Sequence, residues 1–414
     1  MAVAATRLAV LGALALALAW PGAAQAQDVL GRDRDLRRRS GDSAEAEVAA
    51  PLGTRVASKM AYYTDNDGLT VATPIITVEQ KIFDASSISL EYDADILSAA
   101  TVDVRTSATD KFNEVRHGIA LSGTTRLRAL ETDLGGSVSY SHEYDYQSVT
   151  MGGGFSTELL QKNVTVGLGY SYVYNIVGRS HTPLSDFQDH LDIHALNASF
   201  TQLLSKRSYL QLSGSVIVAK GYQASVYRYV PIFLEGTLDP SQLTEARLES
   251  GAARPLARLA ERLPRDRIRG AAVARLNHAF DFGLTVAGDY RFYADDWAIQ
   301  SHTLSLNLYQ RLPAGLQVRL RERFYVQSDA NFYQAAYFVP DADSRPTLFT
   351  MDRELSKFWY NLVGLKVSLD IPVPVVQRLV LDVKGDLQYT QYSNFAYLTD
   401  RTAVIVGGGL TVEL

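Results

Sequence analysis

The sequence predicts an all-β protein, a closed antiparallel transmembrane β-barrel of about 16 strands, give or take about two. Three observations predict it. The first is strand periodicity, clearest in residues 379–390. Leu379, Leu381, Val383, Gly385, Leu387 and Tyr389 form one alternate set, and Val380, Asp382, Lys384, Asp386, Gln388 and Thr390 the other. One set is apolar and ends in an aromatic; the other carries Asp382, Lys384 and Asp386. A strand turns successive side chains to opposite faces, so one face here is greasy and one charged. The second observation is that this pattern recurs along most of the chain, with no apolar run long enough for a membrane helix. The third is a secretory leader.

Composition narrows the classes. The chain has 414 residues and no cysteine, which excludes disulfides, zinc-thiolate clusters and covalent haem attachment. Hydrophobic residues make up 47% of the chain, yet the mean hydropathy is close to zero, so polar and apolar positions are interleaved. Tyrosine (23) far outnumbers tryptophan (3), and the net charge of -5 disfavours nucleic acid as a partner.

Residues 1–27 read as a signal peptide. Arg7 supplies the charged n-region, residues 8–20 the apolar stretch, and Ala24-Gln25-Ala26 a small-residue cleavage site near Ala26. The apolar stretch is too short to span a bilayer. Residues 28–53 hold Arg32-Asp33-Arg34-Asp35 and Arg37-Arg38-Arg39 among Ala, Ser and Glu. With so little apolar content they are expected to form a disordered periplasmic tail.

The barrel is expected over 54–414. Its strands fall near 54–64, 69–81, 86–97, 112–126, 133–145, 148–160, 163–175, 189–204, 207–222, 270–280, 283–295, 299–311, 315–327, 356–369, 377–391 and 401–414. Short connections such as Glu131-Thr132-Asp133, Gln161-Lys162-Asn163 and Ser205-Lys206 alternate with long ones at 98–112, 176–188, 223–268 and 328–355. Short periplasmic turns and long extracellular loops are the asymmetry of outer-membrane barrels, and an even strand count returns both termini to the periplasmic side. A weak internal repeat, residues 194–202 against 302–310, recurs about four strands on and fits hairpin duplication. Within the longest loop, residues 252–263 predict a helix: Leu256, Leu259, Ala260 and Leu263 share one face, Arg254, Arg258 and Arg262 another, and Pro264 ends it.

The two faces have different chemistry. Tyr62, Tyr92, Tyr144, Tyr174 and Phe292 suit an interfacial girdle, and His142, His194 and His302 fall among membrane-facing or interfacial positions. Glu322 is the exception, in register with Leu316, Val318, Leu320 and Phe324 on the lipid side. On the inward face, Glu79, Glu91, Asp93, Asp95 and Glu114 gather on the second to fourth strands. Arg275, Arg291, Arg319, Arg321, Arg323, Lys366 and Lys384 gather on the tenth to fifteenth. Two opposed walls of this kind would set a transverse field across an aqueous lumen and filter polar solutes; the same charges could instead close a blocked lumen with salt bridges.

Catalytic signals are poor. No GxSxG, HExxH or P-loop occurs, no spacing proposes a Ser–His pair with an orienting third group, and no enzyme activity or cofactor is expected. Asp295-Asp296 and the Asp93/Asp95 pair are the residues that could hold a hard cation, but solvated acids are the expectation there and no metal site is assigned.

Several stretches carry a family resemblance: Tyr92-Asp93-Ala94-Asp95 with Ser98-Ala99-Ala100-Thr101-Val102-Asp103-Val104, Phe112-Asn113-Glu114-Val115-Arg116-His117, Arg291-Phe292-Tyr293-Ala294-Asp295-Asp296-Trp297, and Asp352-Arg353-Glu354-Leu355-Ser356. In order and spacing the set resembles the bacterial family catalogued as domain of unknown function 3570, over nearly all of the mature chain. The resemblance implies an exported, barrel-like protein and brings no substrate or catalytic residue. The end of the chain, with Gly409, Val412 and Leu414, resembles an outer-membrane assembly signal, although the last residue is Leu414 where an aromatic is usual.

The expectation is thus an outer-membrane barrel passing small polar solutes or ions through a charged lumen. Its expected partners are outer-membrane lipid with lipopolysaccharide and the barrel-assembly machinery. The alternatives are a plugged barrel acting as a receptor, adhesion or assembly component through its loops, motivated by Phe332, Tyr333, Tyr337, Phe338 and Phe349, and a sheath for a periplasmic partner.

Overall fold

The computed structural model describes residues 53–99, 112–179 and 182–414. The signal peptide, the charged tail and the loop at 98–112 fall outside the described residues, apart from 53, 98, 99 and 112 at their edges.

Among the described residues sixteen strands pair in one closed ring. They begin with β1 (Thr54–Asp65), β2 (Leu69–Phe83), β3 (Ser86–Ala99), β4 (Phe112–Leu127), β5 (Thr132–His142), β6 (Tyr146–Leu159), β7 (Val164–Val177), β8 (Asp189–Ser205) and β9 (Ser208–Gly221). Two short strands, β10 (Tyr229–Leu234) and β11 (Ala257–Ala260), leave the ring. It resumes with β12 (Asp266–Ala279), β13 (Leu284–Asp295), β14 (Gln300–Arg311) and β15 (Leu316–Gln327). After another excursion, β16 (Tyr337–Val339), the ring is completed by β17 (Phe358–Ile371), β18 (Arg378–Tyr392) and β19 (Asp400–Glu413). The seam between first and last strand runs from Arg55 opposite Glu413 to Asp65 opposite Ala403. Closure is what lipid demands, since an unpaired backbone group in hydrocarbon costs several kcal/mol.

Alternation sorts the faces as the sequence requires. On β18, Leu381, Val383, Leu387 and Tyr389 lie on the exposed outer surface while Asp386 and Thr390 are buried. On β3, Ile88, Leu90, Tyr92 and Ile96 are outside and Asp95 is inside. The outward histidines sit in an aromatic band near the outer end. Tyr92 Oη lies 2.9 Å from His117 Nδ1, Tyr170 Oη 2.7 Å from His194 Nδ1, and Tyr290 Oη 2.7 Å from His302 Nδ1. His142 stacks beside Tyr140. Such rings, apolar in body and polar at the tip, suit the membrane–water boundary.

At the end where β1 begins and β19 finishes every connection is short: 84–85, 128–131, 160–163, 206–207, 280–283, 312–315 and 372–377. Gly315 shows why one of them has its sequence: it sits at φ 75° with Asp370 O 2.5 Å from where a Cβ would be. The long connections lie at the other end, but so do the tight links after β1, β5 and β13, so the expected alternation of short and long is not strict.

The helix expected over 252–263 is not there. Residues 257–260 are β11, and the one α-helix among the described residues is α1 (Glu245–Glu249), capped by Thr244 Oγ1 accepting the Arg247 N–H. The Leu/Arg spacing reads equally as period two: Ala257 and Leu259 turn inward, Arg258 and Ala260 outward. What decides is an edge to pair with, Tyr229–Ile232 of β10.

Glu322 is on the lipid face, as expected, with Asn361 Nδ2 on β17 donating to it at 3.3 Å. One neutral hydrogen bond compensates a carboxylate there only partly. We therefore expect Glu322→Leu to stabilise the folded barrel by about 1 kcal/mol, read as a higher urea midpoint; a lower midpoint would show that Glu322 is stabilised by its surroundings.

Candidate functional site: the lumen and its cap

The lumen wall divides into three sectors, each following from which residues share the inward parity. The acidic sector lies on β2 to β4. Glu79 faces Arg55 at 3.8 Å, and Glu91 accepts from Thr77 Oγ1 at 2.9 Å. Asp93 and Asp95 are not a free pair: Arg116 Nη2 reaches both at 2.7 Å, and Thr73 Oγ1 donates to Asp95 at 2.5 Å. Gly118, opposite Asp93, leaves that side chain room to lie flat, since a Cβ there would overlap its carboxylate. Glu114 joins two acids absent from the sequence-level site, Glu143 and Asp145 of the outer hairpin between β5 and β6, with carboxylate oxygens all within 4.8 Å. Burial pushes the Glu143 carboxyl up to about 7; Arg116 opposes the shift and Asp145 and Asp95 add to it.

The second sector, β5 to β9, is neutral above its short-turn edge, where Asp133 and Glu158 pair with Arg126 of β4. Ser137, Ser139 and Ser141 on β5, Ser171 and Asn175 on β7 and Ser213 and Ser215 on β9 face inward. The third sector, β12 to β18, is basic but partly self-neutralised. Arg275 pairs with Asp289 at 3.3 Å, Lys366 with Asp382 at 3.0 Å, and Arg321 with Asp386 at 2.8 Å. Arg321, Gly364 and Asp386 stand in one cross-strand row, and the glycine is what lets the ion pair reach across β17: a Cβ there would overlap Asp386 Oδ1. Arg323 Nε donates to Ser305 Oγ at 3.2 Å, Arg291 lies over the Tyr293 ring at 5.8 Å, and Arg319 stands opposite Tyr309. Lys384 lies across Gly407.

All twelve lumen charges expected from sequence thus sit on inward strand positions. The expected transverse field needs correcting in shape. Along the ring only β1 and β19 separate β2 from β18, so the two charged walls nearly meet there, with Lys59 of β1 facing inward between them. The neutral sector separates them on the other side. Arg116, Lys59 and Asp289 were not among the lumen charges expected from sequence, and Asp382 and Asp386, expected on the charged face, were not expected as partners of the basic wall. Parity marks each as inward, but only register shows who pairs with whom. Asp295, offered as a cation ligand, is instead occupied by protein donors: Oδ1 accepts the Trp297 and Ile299 N–H groups and Oδ2 the Tyr293 hydroxyl and Arg267.

A folded cap closes over the outer mouth. β11, β10 and β16 form a three-stranded sheet that joins the two longest loops. Its core holds Val230, Ile232, Phe233, Tyr337, Phe349 and Met351, among others. Arg228 and Glu261 form a buried pair at 2.9 Å, their side chains 3% and 0% exposed, and Thr350 Oγ1 and the Ser225 N–H also bond Glu261. Burying this pair costs desolvation that only a full set of hydrogen bonds offsets. Arg353 crosses to Asp67 at the β1–β2 tip. The cap is seated in the mouth rather than standing off the rim. Inward Tyr293, Tyr325, Tyr360 and Phe358 pack under its core, and Val226, Tyr222 and Tyr227 pack on inward Val173, Ile193 and Ala219.

The Glu143 shift carries a pH signature. A carboxyl whose folded pKa is raised favours the native state fully below the ordinary value of 4.5, and that contribution is lost as pH rises through about 7. We expect Glu143→Gln to flatten the stability–pH profile between those values and to stabilise the neutral-pH barrel, read by urea titration across pH; an unchanged slope would mean Glu143 is not a buried acid.

Comparison with known proteins gives a family and an architecture. The family model described as a protein of unknown function, DUF3570, matches residues 104–394. No curated protein matches the chain. Among solved structures, a bacterial polysaccharide outer membrane secretin aligns at 8% identity over 89% of this chain and 100% of that chain, TM-score 0.49. The CymD monoaromatic hydrocarbon channel aligns at 10% over 88% and 89%, TM-score 0.42, and OccAB1 of Acinetobacter baumannii at 12% over 91% and 100%, TM-score 0.37. At such values the barrel reading rests on the strand register itself. The match covers well over half of the chain, which therefore belongs to the DUF3570 family.

Proposed function

We propose that this DUF3570 member is an outer-membrane barrel that passes small polar solutes or ions through its charged lumen, under control of the cap. The observation that carries this reading is the inner wall: polar side chains face inward on every sector, charged ones on the acidic and basic walls, which suits water inside the barrel. The reading is non-enzymatic. A Ser208–His278 hydrogen bond of 2.8 Å exists at the periplasmic edge, but no third polar group orients the histidine among the described residues. The proposed surroundings are lipopolysaccharide at the aromatic band and the barrel-assembly machinery during insertion.

A second reading is favoured by the cap alone. A folded lid with its own core and a buried ion pair is more than a passive pair of loops, and it suits a receptor whose outer surface binds a ligand. Planar-bilayer recording separates the two. Passage predicts conductance steps from the refolded full chain, and steps at least about twofold larger when residues 329–356 are replaced by a short linker, because the cap is seated in the mouth. Silence from both proteins, each shown folded by heat-modifiable gel mobility, would overturn passage and leave the cap as the working surface.

A further inference from the structure

The basic sector contains an arrangement that strand pairing alone disfavours. Arg319 of β15 stands directly opposite Lys366 of β17, and Lys366 directly opposite Lys384 of β18. Like charges at directly opposed positions repel. Neighbouring strands are about 4.8 Å apart, so three cations share a row of about 10 Å. One pleat along the same strand, Arg321 and then Arg323 extend the patch at a further ~7 Å per step.

The carboxylates nearby do not balance it. Asp382 holds Lys366, and Asp386 holds Arg321. Arg319, Arg323 and Lys384 have no ion-pair partner among the described residues; Arg323 has only the Ser305 hydroxyl, and the Arg319 Nε is buried without an acceptor. Lys59 adds a fourth uncompensated cation from the other side. It lies against Gly409 while Lys384 lies against Gly407, so two lysines converge over the bare inner face of β19. A charge without an ion-pair partner, held in a confined aqueous space, attracts solute ions of opposite sign.

We propose that the β15–β17–β18–β19 patch is a binding site for small multivalent oxyanions, solutes with two or more carboxylate or phosphate groups, at the lumen wall. The inference rests on the lumen being the working part of the barrel, and it adds the substrate class. Multivalency follows from spacing. Adjacent cations about 5–7 Å apart suit two oxyanion groups on one small molecule, whereas a halide meets one cation at a time. Arginine's planar fork takes a carboxylate or phosphate by two parallel hydrogen bonds, and Lys384 and Lys59 supply mobile point charges beside it.

Inorganic pyrophosphate and citrate, with chloride as control, probe the site in the refolded full-length barrel. By titration calorimetry we expect saturable binding of both oxyanions, weakened by about tenfold or more in Arg319→Gln/Lys384→Gln, largely restored by Arg319→Lys with Lys384 intact, and unaffected by Arg207→Gln at the periplasmic turn. In bilayers the same oxyanions should reduce chloride current through the wild-type barrel and not through the double variant. Absent binding, or equal binding to wild type and double variant with both barrels folded, overturns the proposal, whether or not the barrel conducts. Variant-sensitive binding in a silent barrel upholds the site and overturns passage, so the two readings fail separately.

Discussion

The hydrogen-bonded seam between β1 and β19 is the constraint on which the rest depends. In hydrocarbon a free strand edge is untenable, so the sheet must return on itself. Once closed, every residue is committed by parity to lipid or lumen, and a slip of one residue would exchange the two faces. At the seam the inner wall is also bare, since Gly407 and Gly409 face inward on β19 and give Lys384 and Lys59 their room. Closure and lumen chemistry therefore meet on the same strand.

Inside, the wall solves a packing problem with charges rather than apolar side chains. Carboxylates lie across neighbouring glycines: Asp93 over Gly118, and Asp386 over Gly364. Each cleared position lets an ion pair lie along the wall, between β3 and β4 in one case and across β17 in the other. The acidic sector is tied together mainly by Arg116, while the basic sector keeps cations in excess. At the mouth the logic reverses. The inward residues under the cap, Val173, Ile193, Tyr325 and Phe358, are apolar because a folded lid covers them.

Much of this was legible in the chain. Period-two alternation located all sixteen ring strands, and the inward parity of Arg319, Arg321 and Arg323 followed from Leu320 and Phe324 on the alternate, apolar set. What local pattern cannot carry is partnership. Arg321 and Asp386 are far apart in sequence and meet only because Gly364 sits between them in register. The acid cluster of Glu114, Glu143 and Asp145 was hidden because 133–145 read as one continuous strand, whereas β5 ends at His142 and the next residues turn. The cap was misjudged for the same reason: the Leu/Arg spacing of 252–263 satisfies two periods, and the choice between them was made by β10, a partner that local sequence does not name.

The central claim, that alternate residues face lipid and water around a closed ring, is tested most directly by single cysteines along β15, since the chain has none of its own. Cysteine would be placed in turn at Arg319, Leu320, Arg321, Glu322, Arg323 and Phe324 in the lipid-embedded protein and exposed to a small charged thiol reagent. The account predicts labelling at 319, 321 and 323 and protection at 320, 322 and 324. Uniform labelling, uniform protection or the opposite parity would contradict it.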